Sequence, residues 1–363
     1  MKIIFTLFLF LTLIYACKKT ILNNPAGEVV VYDPTPYVID YGTTLSAPNI
    51  PTDNPLTEAK VQLGRMLFYS KKLSGDGTMA CAGCHKQENA FSDIDQFSTG
   101  IQGLKGGRQA MAIVNMAWNT NQFFWDGRAN LLRDQSLLPI QDPLEMHETL
   151  PNVVSKLKGD TEMKVQFIKA FGSREITTEK ISLALEAFMN TLVSGNSKYD
   201  QFLAGTATLS ASELRGKDLF FDEYNPGFPN LSGADCAHCH SGSNFENDQY
   251  MNNGLDLEAN IMDNGRMKAT MNSADKGKFK VPTLRNVEVT FPYMHDGRFN
   301  TLEEVVDHYN NDIRTSNTLD PALQATQSTG LMLTSQDKID LVNFLKTLTD
   351  NSFLTNPAYK DPN

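Results

Sequence analysis

The sequence is poor in the residues that carry most metal and thiol chemistry. Its 363 residues include five cysteines, six histidines and two tryptophans. A chain this long can bury a sizeable core, so five cysteines are not a disulfide framework that it needs in order to fold. There is no basic excess: 32 Lys and Arg face 42 Asp and Glu, a net charge of −10. That argues against nucleic acid as a partner. With 41% hydrophobic and 20% charged residues, the chain is neither a disordered nor a multi-span membrane protein. Its length suggests two domains, or three small ones. The placement of the few cysteines and histidines decides the rest.

Met1-Lys2 is followed by uncharged, mostly apolar residues from Ile3 to Ala16, then by Cys17. A basic start, a short apolar stretch and a small residue before the cut make residues 1–16 an export signal. The stretch is too short to span a bilayer comfortably. Cys17 after Ile14-Tyr15-Ala16 resembles a lipobox, which predicts lipidation of its thiol and a membrane anchor that does not span. The expected location is the periplasm. Residues 17–50, rich in Asn, Pro, Gly and Thr, read as a lipidated tether.

The chain then repeats itself. Gly64-Arg65-Met66-Leu67-Phe68, Cys81-Ala82-Gly83-Cys84-His85 and Trp125-Asp126-Gly127-Arg128 recur in order as Gly216-Lys217-Asp218-Leu219-Phe220, Cys236-Ala237-His238-Cys239-His240 and His295-Asp296-Gly297-Arg298. Two related domains are expected at 51–200 and 201–350, with a tail at 351–363. The periodicity is helical. Ile181, Leu185, Phe188 and Leu192 form one apolar stripe. Ser210 with Glu213, and Thr301 with Glu304, are capping boxes. Residues 335–348 make a C-terminal amphipathic helix. The fold class is therefore mainly α. Residues 241–280, rich in Asn, Gly and Asp, are expected to form a surface loop, and Trp118 a core residue.

Four cysteines lie in the two Cys-x-x-Cys-His runs, the attachment signature of c-type haem. Two thiols bond the two vinyl groups, and the following His lies under the iron. A Cys₄ zinc site or a pair of redox disulfides does not require a His after each pair. His85 and His240 are thus the expected proximal ligands, with Cys81, Cys84, Cys236 and Cys239 binding the two haems. His238 is expected to face solvent.

The sixth axial position separates electron carriers from peroxide-activating centres. In the helix opened by Thr301, Leu302, Val305, Val306 and Tyr309 share the inward stripe, whereas His308 is turned aside. Tyr309 is a candidate ligand, with a core tyrosine as the alternative; His308 is the commoner ligand type on the wrong face. After His85 there is no His until His147, and Met111 and Met116 read as core. The first haem is expected to be open.

These residues resemble the bacterial dihaem cytochrome c peroxidases and MauG enzymes. The likeness runs over about 51–350 and rests on Gly64-Arg65-x-Leu67-Phe68, Phe124-Trp125-Asp126-Gly127-Arg128-Ala129, Pro139-Ile140-Gln141 with Glu145-Met146, Tyr293-Met294-His295-Asp296-Gly297 and Phe344-Leu345-Lys346-Thr347-Leu348-Thr349. The resemblance implies two cytochrome c-like domains, a peroxidatic first haem and an electron-transfer second haem. It implies Trp125 as a relay between them, Gln135 and Glu145 on the distal side of the first, and His295 at a propionate. It implies a calcium ion between the domains near Thr290 and Pro292, with Gln109 where the family has Asn, and a homodimer in many members. The loop His that caps the first haem in many members is missing from Ser98-Thr99-Gly100-Ile101, and Tyr309 stands where many have Met. Both are MauG-like departures, and an anionic tyrosinate lowers a haem's potential.

The distal pair also makes chemical sense. Peroxide cleavage needs a group that takes the proton from one oxygen and returns it to the other. A buried Glu145 can do this, and Gln135 can donate a hydrogen bond. Three functions are expected in competition. One is a peroxidase reducing hydrogen peroxide with electrons from a small cytochrome c or cupredoxin. The second is a MauG-like enzyme oxidising side chains of a partner protein. The third is a dihaem electron carrier.

Overall fold

The computed structural model describes residues 21–23, 29–228 and 231–362. The export segment and Cys17 lie outside the described residues. Thirteen helices occur among those described: α1 Glu58–Tyr69, α2 Cys81–Cys84, α3 Leu132–Gln141, α4 Leu150–Gly159, α5 Thr161–Phe171, α6 Thr178–Met189, α7 Lys198–Leu203, α8 Ala211–Phe221, α9 Met267–Thr270, α10 Leu302–Asn311, α11 Pro321–Gln324, α12 Ser335–Lys346 and α13 Asn351–Thr355. Among the described residues, sheet is confined to two short antiparallel pairs, β1 Ile21–Asn23 with β2 Val29–Val31, and β3 Tyr250–Met251 with β4 Phe279–Lys280.

Two apolar cores organise the helices, and each is built on the same crossing. In the first, α1 lies on α6, and in the second, α8 lies on α12. The repeated glycine makes the contact. A Cβ on Gly64 would lie 1.9 Å from the Ala184 carbonyl oxygen, and one on Gly216 would lie 1.9 Å from that of Asp340. The repeated phenylalanine follows one turn later. Phe68 meets Phe188 with ring centroids 5.4 Å apart, and Phe220 meets Phe344 at 5.2 Å, both pairs tilted. The Gly-x-x-Leu-Phe motif is thus a helix-crossing device, in which glycine admits the backbone and phenylalanine fills the space beyond. Both expected capping boxes form, Ser210 with Glu213 and Thr301 with Glu304, and open α8 and α10.

Four stretches differ from expectation. Residues 29–50 are not a free tether: Val30 and Leu45 are buried, Asp33 N donates to Lys169 O, and Thr44 Oγ1 donates to Asp200 Oδ1. The β-branched run Val29-Val30-Val31 and scattered apolar residues give this segment surface to bury. Trp118 lies outside both cores. Its Nε1 donates to Ser46 O at 2.9 Å and its ring meets Tyr41, so it clasps that N-terminal segment. The terminal residues fold back onto the first core. Phe353 and Tyr359 are buried in it, Gln87 Nε2 donates to the carbonyls of Phe353 and Asn356, and Arg65 Nε donates to Lys360 O. Residues 241–280 are not simply a surface loop: Phe245, Asn252, Leu255, Phe279 and Lys280 are buried, because polar side chains there satisfy the backbone and one another.

The two cores meet through polar contacts. Asn115 Nδ2 donates to Ser194 O and to Asn244 Oδ1, Lys280 N donates to Trp125 O, and Gln109 N donates to His295 O.

Candidate haem sites

The two Cys-x-x-Cys-His runs are built alike. The first pair lies on α2 and the second on a single 3₁₀ turn, Cys236–His238. Each run closes with the His amide donating to the carbonyl of its first Cys, His85 to Cys81 at 3.0 Å and His240 to Cys236 at 2.9 Å. This one-turn curl brings both thiols and the imidazole to one side. The four cysteines are unbonded. Burial raises Cys81, Cys236 and Cys239 to about 12 and also raises Cys84. They are neutral thiols, unlike the activated thiolates of redox disulfide motifs. The two pairs belong to different units, and among the described residues no group of three His, Cys, Asp or Glu is gathered for a metal. The zinc alternative has no geometry to support it.

Each imidazole is locked in one tautomer. His85 Nδ1 lies 2.7 Å from Phe91 O, and His240 Nδ1 lies 3.2 Å from Phe245 O and 3.1 Å from Pro282 O. A carbonyl oxygen only accepts, so Nδ1 carries the proton. Burial lowers the affinity of both rings for a second proton, to about 4 for His240. The Nε2 lone pair is therefore free for a metal, with its orientation fixed from behind. Phe91 and Phe245, which supply the carbonyls, are both left-handed, at φ 57° and 53°. Strain of that kind, about 1–3 kcal/mol per residue, recurs at the same place in both copies.

One continuous cavity of about 710 Å³ is lined by both Cys-x-x-Cys-His runs. It also brings together Trp125, Gln135, Glu145, His295 and Tyr309. Two sets of free thiols and preset imidazoles on one apolar cavity suit two covalently attached haems. For the calcium ion, Thr290 and Pro292 line the cavity, but Gln109 donates its amide hydrogens to Ser92 Oγ and Asp93 O.

Around the first run, α3 contributes Gln135 and the turn after it contributes Glu145. Glu145 is held by backbone bonds, its N–H to Asp142 O and its carbonyl from Ile101 N. Burial raises its carboxyl to about 7; nearby Asp142 adds to the rise and Arg128 offsets part of it. Trp125 is fixed by Nε1–H to Gln109 O at 2.8 Å. His147 is exposed and contacts Gln102, away from the cavity, and His238 is exposed 4.0 Å from Asp320.

Around the second run, α10 turns Tyr309 into the cavity and His308 away from it. His308 Nε2 donates to Asn253 O at 3.0 Å. Tyr309 is half-buried against the second core, and loss of water around its phenol pushes the phenol well above the usual value. His295 stacks on Phe279 with centroids 3.6 Å apart. Beside it, Arg108 pairs with Asp263 and Asp126, and Lys268 pairs with Asp263; Arg108, Lys268 and Asp263 all line the cavity, a charged edge suited to propionates.

The sequence reading passed over three cavity residues. Glu246 is half-buried, its carboxyl is raised to about 7, chiefly by loss of water around it, and it accepts from Asn244. Met294 and Asn253 lie beside Tyr309. Their only sequence signal was position, within the Asn-rich stretch and next to His295.

Comparison with known proteins places this geometry. Residues 58–208 match the family described as di-haem cytochrome c peroxidase. The methylamine utilization protein MauG of Methylophilus methylotrophus is 32% identical over 299 residues, covering 82% of this chain and 84% of that protein. The cytochrome c551 peroxidase of Nitrosomonas europaea is 37% identical over 252 residues, covering 68% of this chain and 71% of that protein. A crystal structure of a MauG-like protein associated with microbial copper homeostasis superposes with a TM-score of 0.79 at 35% identity, covering 90% of this chain and 99% of that one.

Proposed function

The chain belongs to the di-haem cytochrome c peroxidase and MauG family, a family of peroxidase-type oxidoreductases with two c-type haems, and from that premise we propose that it reduces hydrogen peroxide to water at the first haem with electrons that a small cytochrome c or cupredoxin delivers through the second. One observation carries this reading. Helices α3 and α10 are copies, and they differ where they face the cavity. Leu132 corresponds to Leu302, Gln135 to Val305 and Pro139 to Tyr309, each pair at the same interval in sequence. All six line the cavity. Tyr309 offers the second haem a phenol. Pro139 has no atom that ligates iron. Gln135 and Glu145 make the first side polar, whereas Val305 makes the second apolar. The first site would leave its iron open beside an acid, and the second would cap it.

When bound, the first haem supplies an iron that can hold peroxide; the remaining work falls to side chains. Glu145, with its carboxyl near 7, holds or releases a proton at neutral pH. With peroxide held there, its carboxylate would take the proton from one peroxide oxygen and return it to the other, which would leave as water. Such transfer contributes about 10²–10⁴-fold. Gln135 Nε2 donates to the bound peroxide and orients it. Trp125, pinned to Gln109 and lining the cavity shared by both Cys pairs, relays electrons between the haems. Arg108, Lys268 and His295 hold propionates.

Tyr309 favours a second reading, MauG-like oxidation of a partner protein, because an anionic phenolate stabilises oxidised iron. Stopped-flow mixing of the diferric protein with peroxide, with and without reduced cytochrome c, separates the two. Rapid donor oxidation and return to the starting spectrum supports the peroxidase. A long-lived oxidised species that ignores the donor supports the second reading, and no reaction with peroxide leaves an electron carrier. The segment 1–16 and Cys17 support a lipid-anchored protein in the periplasm, and among the described residues no helix is long and apolar enough to cross a membrane.

A further inference from the structure

One side-chain amide holds two different ligand atoms in the second haem's part of the cavity. Asn253 Nδ2 lies 3.3 Å from the Tyr309 hydroxyl and 3.3 Å from the Met294 sulfur. An amide NH₂ has two hydrogens, so it serves both acceptors together. Tyr309 and Met294 both line the cavity with His240. The backbone carbonyl of Asn253 accepts from His308 Nε2 at 3.0 Å, which ties it to the turn of α10 that carries Tyr309.

The loop beneath Asn253 cannot drift. Asn252 Nδ2 donates to Ser316 Oγ at 3.0 Å and to Thr318 Oγ1 at 2.9 Å, and Gly254 O accepts from Arg314 N at 2.8 Å. Gly254 has φ 69°, and a Cβ there would lie 2.8 Å from Ile313 Cγ2. The amide is thus aimed by a fixed frame.

Phenolate and thioether are both haem ligands, with opposite consequences. Methionine raises the reduction potential, whereas an anionic oxygen ligand favours the oxidised iron. An N–H bond to a charged oxygen is about twice as strong as one between neutral groups, and a thioether is a weak acceptor. The shared amide therefore supports Tyr309 more than Met294, and it keeps the sulfur engaged. We infer that Asn253 is a positioning residue that selects Tyr309 over Met294 as the sixth ligand of the second haem, and so holds that haem at low potential. The inference rests on the Tyr309 ligation proposed above and names its competitor and its selector.

Spectroelectrochemistry and near-infrared spectroscopy of the full-length holoprotein test it, with haem content measured for each variant. N253L removes both hydrogen bonds while keeping the branched shape of the side chain. It is expected to bring up the charge-transfer band of methionine-ligated ferric haem and to raise the second haem's potential; N253L/M294L should lose that band. An unchanged spectrum and potential in N253L overturns the inference. Y309F tests the underlying ligation separately: a second haem unaffected by Y309F refutes tyrosine ligation itself. If N253L does not fold, N253A carries the question. Methionine ligation that appears in N253A and vanishes in N253A/M294L supports Met294 as the held competitor, and a second haem whose spectrum and potential are unchanged in N253A overturns the inference.

Discussion

Replacing Glu145 by glutamine should weaken catalysis and strengthen the fold together. The shape of the site is kept, and only the ability to ionise is lost. Burial raises the carboxyl from 4.5 to about 7, so the folded chain binds this proton more tightly than the unfolded chain does. Stability is then lost as pH rises from about 4.5 to about 7 and is level above that. At about 1.4 kcal/mol per tenfold change in proton affinity, the ionised native state carries a cost of about 3 kcal/mol. E145Q escapes it. Urea unfolding of the holoprotein should show E145Q more stable than wild type by up to about 3 kcal/mol at pH 8, and equal to it near pH 4. Peroxide turnover with reduced cytochrome c should move the other way. Loss of the proton carrier should lower kcat/KM for peroxide by about 10²–10⁴, or about 3–5 kcal/mol of transition-state stabilisation. Because the ionised carboxylate accepts the first proton, wild-type kcat/KM should fall tenfold per pH unit below about 7, while the variant should be flat there. A variant that keeps near-wild-type turnover, or whose pH profile still breaks near 7, refutes the role of Glu145. A variant without a stability gain at pH 8 refutes the burial argument.

Three further outcomes follow from the packing. G64A and G216A should each destabilise their own unit by about 1–3 kcal/mol or more, because the added Cβ meets a helix carbonyl at 1.9 Å; separate unfolding transitions followed by haem absorbance would show which unit yields. F353A should cost about 3–5 kcal/mol, read as a lower urea midpoint of the first unit, since Phe353 is buried in that core. W125F should lose one buried hydrogen bond, about 1 kcal/mol, and slow donor-driven turnover at unchanged haem content.

What the sequence made legible were the features carried by local spacing. The Cys-x-x-Cys-His runs, the capping boxes and the helical stripe around Ile181 each need only a few neighbouring residues. The turn of Tyr309 into the cavity and of His308 away from it followed from helical angles, but the burial of His308 against the Asn253 carbonyl did not. What escaped was set by distant partners. Phe353 looked like part of a tail because its pocket lies beside Phe91, far away in sequence. Trp118 looked like core because nothing near it revealed that Ser46 would accept its N–H. Asn253 sat in a stretch whose polar composition argued for solvent, yet its donors point inward at Tyr309 and Met294.

The repeat supplies its own control experiment. Both halves use the same glycine crossing, the same phenylalanine pair and a phenylalanine carbonyl behind the His, so the two frames are built alike. Function then has to reside in the few cavity positions where the copies differ, and Pro139 against Tyr309 is the sharpest of them. P139Y should transplant the cap. Proline inside α3 leaves that turn without one backbone donor, so a tyrosine there fits the helix at least as well. The variant should convert the first haem from an open to a six-coordinate spectrum and abolish peroxide turnover, while the second haem keeps its potential. A first haem that stays open and reactive in P139Y would mean that the asymmetry is set elsewhere in the cavity, and that the difference between α3 and α10 does not decide which iron meets peroxide.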